Sequence, residues 1–232
     1  EQTTLAGWGH TMPSTAEVVT RRSTDVDALV ADVKSVGERG AIARGLGRSY
    51  GDPAQVGGGL VVRLRDDVHA VRIDESAATV TVPAGVSLAD LLRVIVPRGW
   101  FVPVTPGTAF VTIGGAIASD VHGKSHHREG SFGNHVRHLR VLLADGSIAE
   151  LGPEPDQRPE LFWATVGGMG LTGLILEATI ALLRVETSAC IVDTTRVPDL
   201  DSLLSLMEEG DRYYRYSVAW IDPMAKGGAL GR

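Results

Sequence analysis

Apolar positions recur at helical spacing in a few stretches of this chain and alternate, or run together, in many more. Val26, Leu29, Val30, Val33 and Val36 share one face of a helix predicted over Asp25–Arg39, with Ser23-Thr24-Asp25 offering N-caps. Ser87-Leu-Ala-Asp90 reads as a capping box with Asp in place of Glu, opening an amphipathic helix that Pro97 ends near Arg98. Pro159-Glu-Leu-Phe-Trp163 begins a further short helix at a Pro-acid start. Strands are predicted at Ala41–Ala43, Trp100–Val104 and Val136–Leu143, with Asp145-Gly146 turning the last into Ser147–Leu151. Leu60–Leu64, His69–Ile73 and Thr79–Val82 are expected to pair antiparallel across polar turns, and Leu174–Val185 is apolar and β-rich. Residues 1–22 show little periodicity and read as an extended lead-in. Near Glu186–Ser188 the pattern restarts as strand (Ala189–Thr194), helix (Leu200–Glu208) and strand (Tyr213–Ile221), which places a domain boundary there. Gly227–Arg232 then follows a strand with no sign of a finished domain, so this second domain is expected to be cut short.

Between these elements lie glycine-rich loops that periodicity does not explain. The central one is Thr112–His127, TIGGAIASDVHGKSHH. Gly114-Gly115 can bring bare backbone N–H groups against an anion, because no Cβ holds a ligand away. Ala116-Ile117-Ala118-Ser119 lets a flat group lie close to the main chain, and His122 and Lys124 put titratable groups at its end. A second cradle is Arg44-Gly-Leu-Gly-Arg-Ser-Tyr-Gly-Asp52, where Gly45, Gly47 and Gly51 favour a backbone nest and Arg44, Arg48, Ser49 and Tyr50 add donors. Each loop also has a plain structural reading, as a connection into an ordinary helix or strand. Gly168-Met-Gly170-Leu-Thr-Gly173 fits G-x-G-x-x-G with Asp193 20 residues on. A helix precedes it and a strand follows, the reverse of a Rossmann turn, so these glycines read as a tight helix-to-strand turn beside a ligand.

Composition narrows the classes. The 232 residues are 44% hydrophobic and 22% charged with a net charge of −6, giving no sign of a nucleic-acid surface. Cys190 is the only cysteine, which excludes an intrachain disulfide and a Cys-based metal site. No apolar run reaches the roughly 18–20 residues of a membrane span. His122, His126, His127, His135 and His138, five of the seven histidines, invite a metal hypothesis. Gly123 between His122 and His126 and the lack of a third ligand pattern weigh against it, so no metal is expected. Met169 and Trp163 read as core residues, and His10 and His69 as surface or strand positions.

The order of these loops resembles the FAD-linked oxidases of the vanillyl-alcohol oxidase and p-cresol methylhydroxylase type, and within them the decaprenylphosphoryl-β-D-ribose 2′-oxidases of actinobacteria. ARGLGRSYGD (43–52), PGTAFVTIGGAIASDVHGKSHH (106–127), GSFGNHVR (130–137) and ELFWATVGGMGLTG (160–173) carry the match, and GWGHTMPS (7–14) agrees. The resemblance implies an α+β fold: a two-subdomain FAD-binding domain over 1–185 (subdomains about 1–85 and 86–185), then the start of an α+β substrate-binding domain over 186–232. It implies FAD bound by Arg44, Gly45, Leu46, Gly47, Arg48, Ser49, Tyr50 and Gly51, by Gly107, by Thr112, Ile113, Gly114 and Gly115, by Ser119, Asp120, Val121 and His122, and by Ile175. His122, Lys124 and Tyr50 would stand on the substrate side of the ring. Many relatives tether the flavin through a histidine after the second glycine of the first loop; here the residues are Gly47-Arg48-Ser49, which implies non-covalent FAD. Two departures stand out. Ser119 replaces a cysteine of the mycobacterial pattern, and a lysine, a tyrosine and a cysteine that the family places in its C-terminal half are absent.

The implied reaction is oxidation of the 2′-hydroxyl of a polyprenylphosphoryl pentose, with a partner NAD(P)H-dependent keto-reductase completing an epimerisation for arabinan synthesis. The resemblance places this in the cell envelope, at the periplasmic face of the plasma membrane, and leaves room for peripheral membrane association. Such an oxidation needs a base for the hydroxyl proton, and imidazole titrates closest to neutrality of the ordinary side chains. His122 is then either that base or an orienting partner for a lysine beyond this chain. Oxidation of a free sugar or alditol, and flavin binding without reaction, are the competing readings.

Overall fold

A computed structural model describes residues 1–222 and Met224; Gly227–Arg232 lie outside them. The chain opens with β1 (Gln2–Leu5) and β2 (Ser14–Arg21), crosses through α1 (Val26–Ser35) to β3 (Ala41–Arg44), and reaches β4 (Leu60–Leu64). These strands form one sheet in the order β1-β2-β4-β3. The extended lead-in is paired with itself, with Gln2 opposite Glu17 and Leu5 opposite Ser14. Strand β4 runs parallel to both β2 and β3, which corrects its expected antiparallel pairing. Its near-continuous apolar run LVVRL fits that position: a strand flanked and covered on both faces has no side to leave polar.

The remaining chain runs through β5 (Arg72–Asp74), β6 (Thr79–Pro83), α2 (Leu88–Ile95), β7 (Trp100–Phe101), α3 (Ile113–Ala118), α4 (His126–Glu129), β8 (Val136–Leu142), β9 (Ile148–Leu151), α5 (Pro159–Thr165), β10 (Leu174–Ala181), β11 (Leu183–Arg184) and α6 (Leu200–Gly210). Five strands make a second sheet, β5-β6-β10-β8-β9, with every neighbouring pair antiparallel. The two sheets part between Leu64 and Arg72, so β5 and β6 belong to the second. His69 is not in a strand; it sits in a 3-10 turn, Val68–Ala70, where the Asp67 carboxylate accepts its backbone N–H at 2.9 Å.

Local signals act where the sequence places them. The Ser87 hydroxyl accepts the Asp90 N–H at 3.1 Å and donates to the Asp90 carboxylate at 2.6 Å, capping α2. Pro97 falls in the 3-10 turn that ends the helix, and Gly99 closes it at φ +78°. At Asp145-Gly146 the carboxylate takes both the backbone N–H and the hydroxyl of Ser147, and Gly146 adopts φ +84°.

Beyond β11 only α6 forms as expected. Ala189–Thr194 and Tyr213–Ile221 are not strands. Ile191 is almost fully exposed and Val192 largely so, and the segment joins no sheet among the described residues. The second segment instead runs along residues 124–129: the Ser217 N–H donates to the Lys124 carbonyl, and Arg215 pairs with Glu129.

One apolar core lies beneath both sheets. Leu29 and Val33 of α1 and Leu60, Val62 and Leu64 of β4 pack in the same cluster as Val80, Leu91, Ile117, Leu139 and Ile180. Val61 points to the opposite face of β4, into a smaller cluster with Leu5, Ala16, Val18 and Ile42. No helix among the described residues is long and apolar enough to cross a membrane.

Candidate cofactor cleft

Where β3 and β4 end, the loop 44–54 faces the segment 106–122 across a cleft of about 960 Å³, at the upper end of small-molecule sites. Glycines set how closely its walls meet. A Cβ on Gly45 would stand 2.4 Å from the Thr112 hydroxyl, and one on Gly114 3.0 Å from the Ala84 methyl. The floor is built by α3, which Thr112 caps by accepting the Gly115 N–H at 3.1 Å. This corrects the expected cradle at Gly114-Gly115. The Gly114 N–H is already given to the Ala84 carbonyl at 2.9 Å and that of Gly115 to Thr112, so neither is bare. In the first loop, by contrast, the N–H groups of Gly47 through Gly51 donate no hydrogen bond among the described residues.

The arginines of that loop divide their work. Arg44 is half-buried in the cleft wall, its guanidinium donating to the Ala54 carbonyl at 3.0 Å and the Ala6 carbonyl at 2.7 Å. Burial, and then Arg63 nearby, lower its pKa, yet a guanidinium keeps its charge throughout the physiological range. It therefore braces the loop. Arg48 stays at the rim: its Nε donates to the Phe110 carbonyl at 3.2 Å, and its guanidinium lies over the Trp8 ring at 4.8 Å.

At the other end of the cleft, Asp120 turns the chain at φ +40° and accepts the Gly133 N–H at 2.8 Å. His122 follows at the mouth, exposed, with its ring edge-on to His126 at 6.2 Å between centroids. Its backbone is fixed from the next residues. A Cβ on Gly123 would fall 2.0 Å from the Thr105 carbonyl oxygen, and the buried Ser125 hydroxyl donates to the Pro103 carbonyl at 3.1 Å. The third wall is the loop after α5. There the Gly167 and Met169 N–H groups donate to the Ile117 and Ala118 carbonyls, and Gly170 and Gly173 adopt positive φ.

Sixteen of the residues singled out from sequence line this cleft: Arg44 through Gly51, Gly107, Thr112, Gly114, Gly115, Ser119, Val121, His122 and Ile175. Ile113 is in the core instead and Asp120 is engaged with Gly133, so neither lines it. Lys124 also lies outside the lining, exposed, with its carbonyl accepting from Ser217. Met169, read as core, is a wall residue whose sulfur meets the Ser119 hydroxyl at 3.6 Å, and Trp163 is half-exposed on the surface. Sequence reasoning missed Trp8, Leu64, Ala84 and Phe110. Glycines either side of Trp8 were a usable signal, whereas Leu64 and Ala84 look like any other strand end.

The wall is apolar and glycine-lined at its floor, with unpaired main-chain donors and a charged rim at one end and an imidazole at the other. That is a fit for a long ligand with a phosphorylated part and a flat reactive part. Residues 16–152 match the profile described as an FAD binding domain. The chain belongs to that family. FAD is therefore the cofactor of this domain. Among proteins similar to this FAD binding domain, the decaprenylphosphoryl-β-D-ribose oxidase of Mycolicibacterium smegmatis is 48% identical over 98% of this chain and 50% of its own length. An alditol oxidase of a Streptomyces species is 29% identical over 78% of this chain and 42% of its own. Cytokinin dehydrogenase 4 of Arabidopsis thaliana is 32% identical over 62% and 28%. The chain spans about half, or less, of the length of these relatives.

Proposed function

We propose that this chain is the FAD-holding portion of an oxidase that converts the 2′-hydroxyl of decaprenylphosphoryl-β-D-ribose to a ketone. The 48% identity along nearly the whole chain to a protein of that name is the observation that carries this reading. Bound in the cleft, FAD supplies the hydride acceptor. The protein supplies position, charge and a proton path. The unpaired N–H groups of Gly47–Gly51 and the rim guanidinium of Arg48 suit the pyrophosphate. The small residues Gly114, Gly115, Ala118 and Ser119 leave room for a flat ring system against α3. His122 is placed at the mouth to take, or orient, the hydroxyl proton of a substrate arriving from solvent, and Tyr50 is exposed at the opposite rim. FAD is held without a covalent bond in this reading, because Arg48 is not a nucleophile.

The product ketone needs a second, NAD(P)H-dependent reductase to complete an epimerisation, and a polyprenyl substrate needs access to a membrane surface. In this reading the reaction lies in the cell envelope, at the periplasmic face of the plasma membrane, with the enzyme peripheral to it. The test is anaerobic titration of the purified flavoprotein, expressed from its complete reading frame, with a polyprenylphosphoryl ribose and with xylitol. Bleaching of the flavin band by the lipid-linked pentose alone is expected. Bleaching by xylitol alone replaces this reading with an alditol oxidase, and bleaching by neither with a binding domain.

A further inference from the structure

The cradle loop has a second partner, outside the profile-matched residues 16–152. The segment Gly7–Gly9 lies along it. The Trp8 N–H donates to the Ser49 carbonyl at 2.7 Å and the Gly9 N–H to the Tyr50 carbonyl at 3.2 Å. These two carbonyls belong to successive peptide units. In a trans peptide the N–H points opposite to the C=O, so the N–H groups of Tyr50 and Gly51 both turn away from the clasping segment. Neither finds a partner among the described residues, and both residues line the cleft. Two neighbouring N–H groups aimed the same way form a nest for an anionic oxygen.

Three further contacts hold the clasp in register. The Arg44 guanidinium ties the Ala6 carbonyl to that of Ala54, the Gln55 amide reaches the Met12 carbonyl at 2.7 Å, and Arg48 stacks on Trp8. The fit leaves no slack at Gly7, where a Cβ would fall 1.8 Å from the Gly51 carbonyl oxygen. We infer that Gly7-Trp8-Gly9 is a positioning clasp: it fixes the Ser49 and Tyr50 carbonyls outward, thereby presenting the Tyr50 and Gly51 N–H groups to a phosphate oxygen of the cofactor, and Trp8 docks Arg48 beside them. The inference rests on the FAD reading above.

The test uses protein from the complete reading frame, as parent, Gly7→Ala and Trp8→Ala. Flavin is removed and FAD affinity measured by fluorescence, and the bound FAD is observed by 31P NMR. Gly7→Ala is expected to weaken FAD at least tenfold and to move the bound pyrophosphate resonances toward those of free FAD. Trp8→Ala, which keeps the backbone bonds, should weaken it about threefold, with Trp8→Phe restoring part of the loss. A general loosening of the fold does not single out the phosphorus signals. If Gly7→Ala yields no folded protein, Trp8→Ala and its partial rescue by Phe decide. Parental affinity and parental 31P shifts in the variants overturn the clasp. A parent protein that shows no flavin absorbance and binds no FAD overturns the cofactor reading instead.

Discussion

Replacing Thr112 by valine removes one oxygen from the joint between the two walls of the cleft. Thr112 is buried, its hydroxyl accepts the Gly115 N–H at 3.1 Å, and Gly45 packs directly against it. Valine keeps the volume, so almost no cavity forms; what is lost is the N-cap. Cap deletions of this kind cost about 0.5–2 kcal/mol, and a buried N–H left without a partner costs about 1–3 kcal/mol. These describe the same bond and are not summed, so a loss of about 1.5 kcal/mol is expected. For a domain of this size that corresponds to roughly 3–6 °C in melting temperature. Urea unfolding of the flavin-free protein should show a lower midpoint with an unchanged slope. Thr112→Ser keeps the acceptor and should lose less than half as much. Parental stability in the valine variant, or equal loss in the serine variant, refutes the assignment of the cap.

The other predictions concern chemistry and acid stability. His122→Ala should slow flavin reduction by about 10²–10⁴ with FAD still bound; reduction at the parental rate removes His122 from the proton path. Acid precipitation should leave yellow FAD in the supernatant, whereas colour in the pellet, mapping to a histidine, contradicts non-covalent retention. Asp145 has its pKa lowered, first by the Ser147 hydroxyl and then by the Ser147 N–H. A lowered folded value means stability that is fully present above the ordinary aspartate range near pH 3.9 and lost as pH falls through the folded value. Asp145→Asn should therefore flatten the decline in melting temperature below about pH 4 and leave a near-constant offset above it.

Signals confined to one turn of chain were legible in the sequence, and those decided by distant partners were not. The cap at Ser87 and the Asp145-Gly146 turn each involve residues within three or four positions, and each forms where the pattern places it. The direction of β4 depends instead on β2 and β3, and no feature of LVVRL distinguishes parallel from antiparallel neighbours beyond its near-continuous apolar run, interrupted at Arg63. The same holds for Ala189–Thr194, whose residues favour a strand but join no sheet among the described residues. The cleft was legible as a set of loops. Two cradles were read from its glycines, and they differ in their donors: the N–H groups of Gly114 and Gly115 are taken by Ala84, just past a strand end, and by Thr112, while those of Gly47–Gly51 donate no hydrogen bond among the described residues.

The place of β10 in the second sheet bears on how the chain is made. Strand β10 sits between β6 and β8, and its pairing with β6 joins Thr81 to Thr179, 98 residues apart. At about 5–20 residues per second of synthesis, β6 waits roughly 5–20 seconds for its neighbour. During that interval the β5–β6 hairpin carries an unpaired edge, the kind of surface that recruits strands from other chains. The cleft cannot close before β10 is added, since Gly173 and Ile175, just before and within it, complete the wall. Assembly of the site thus waits on β10, and its hazard lies in the pause before that strand is made.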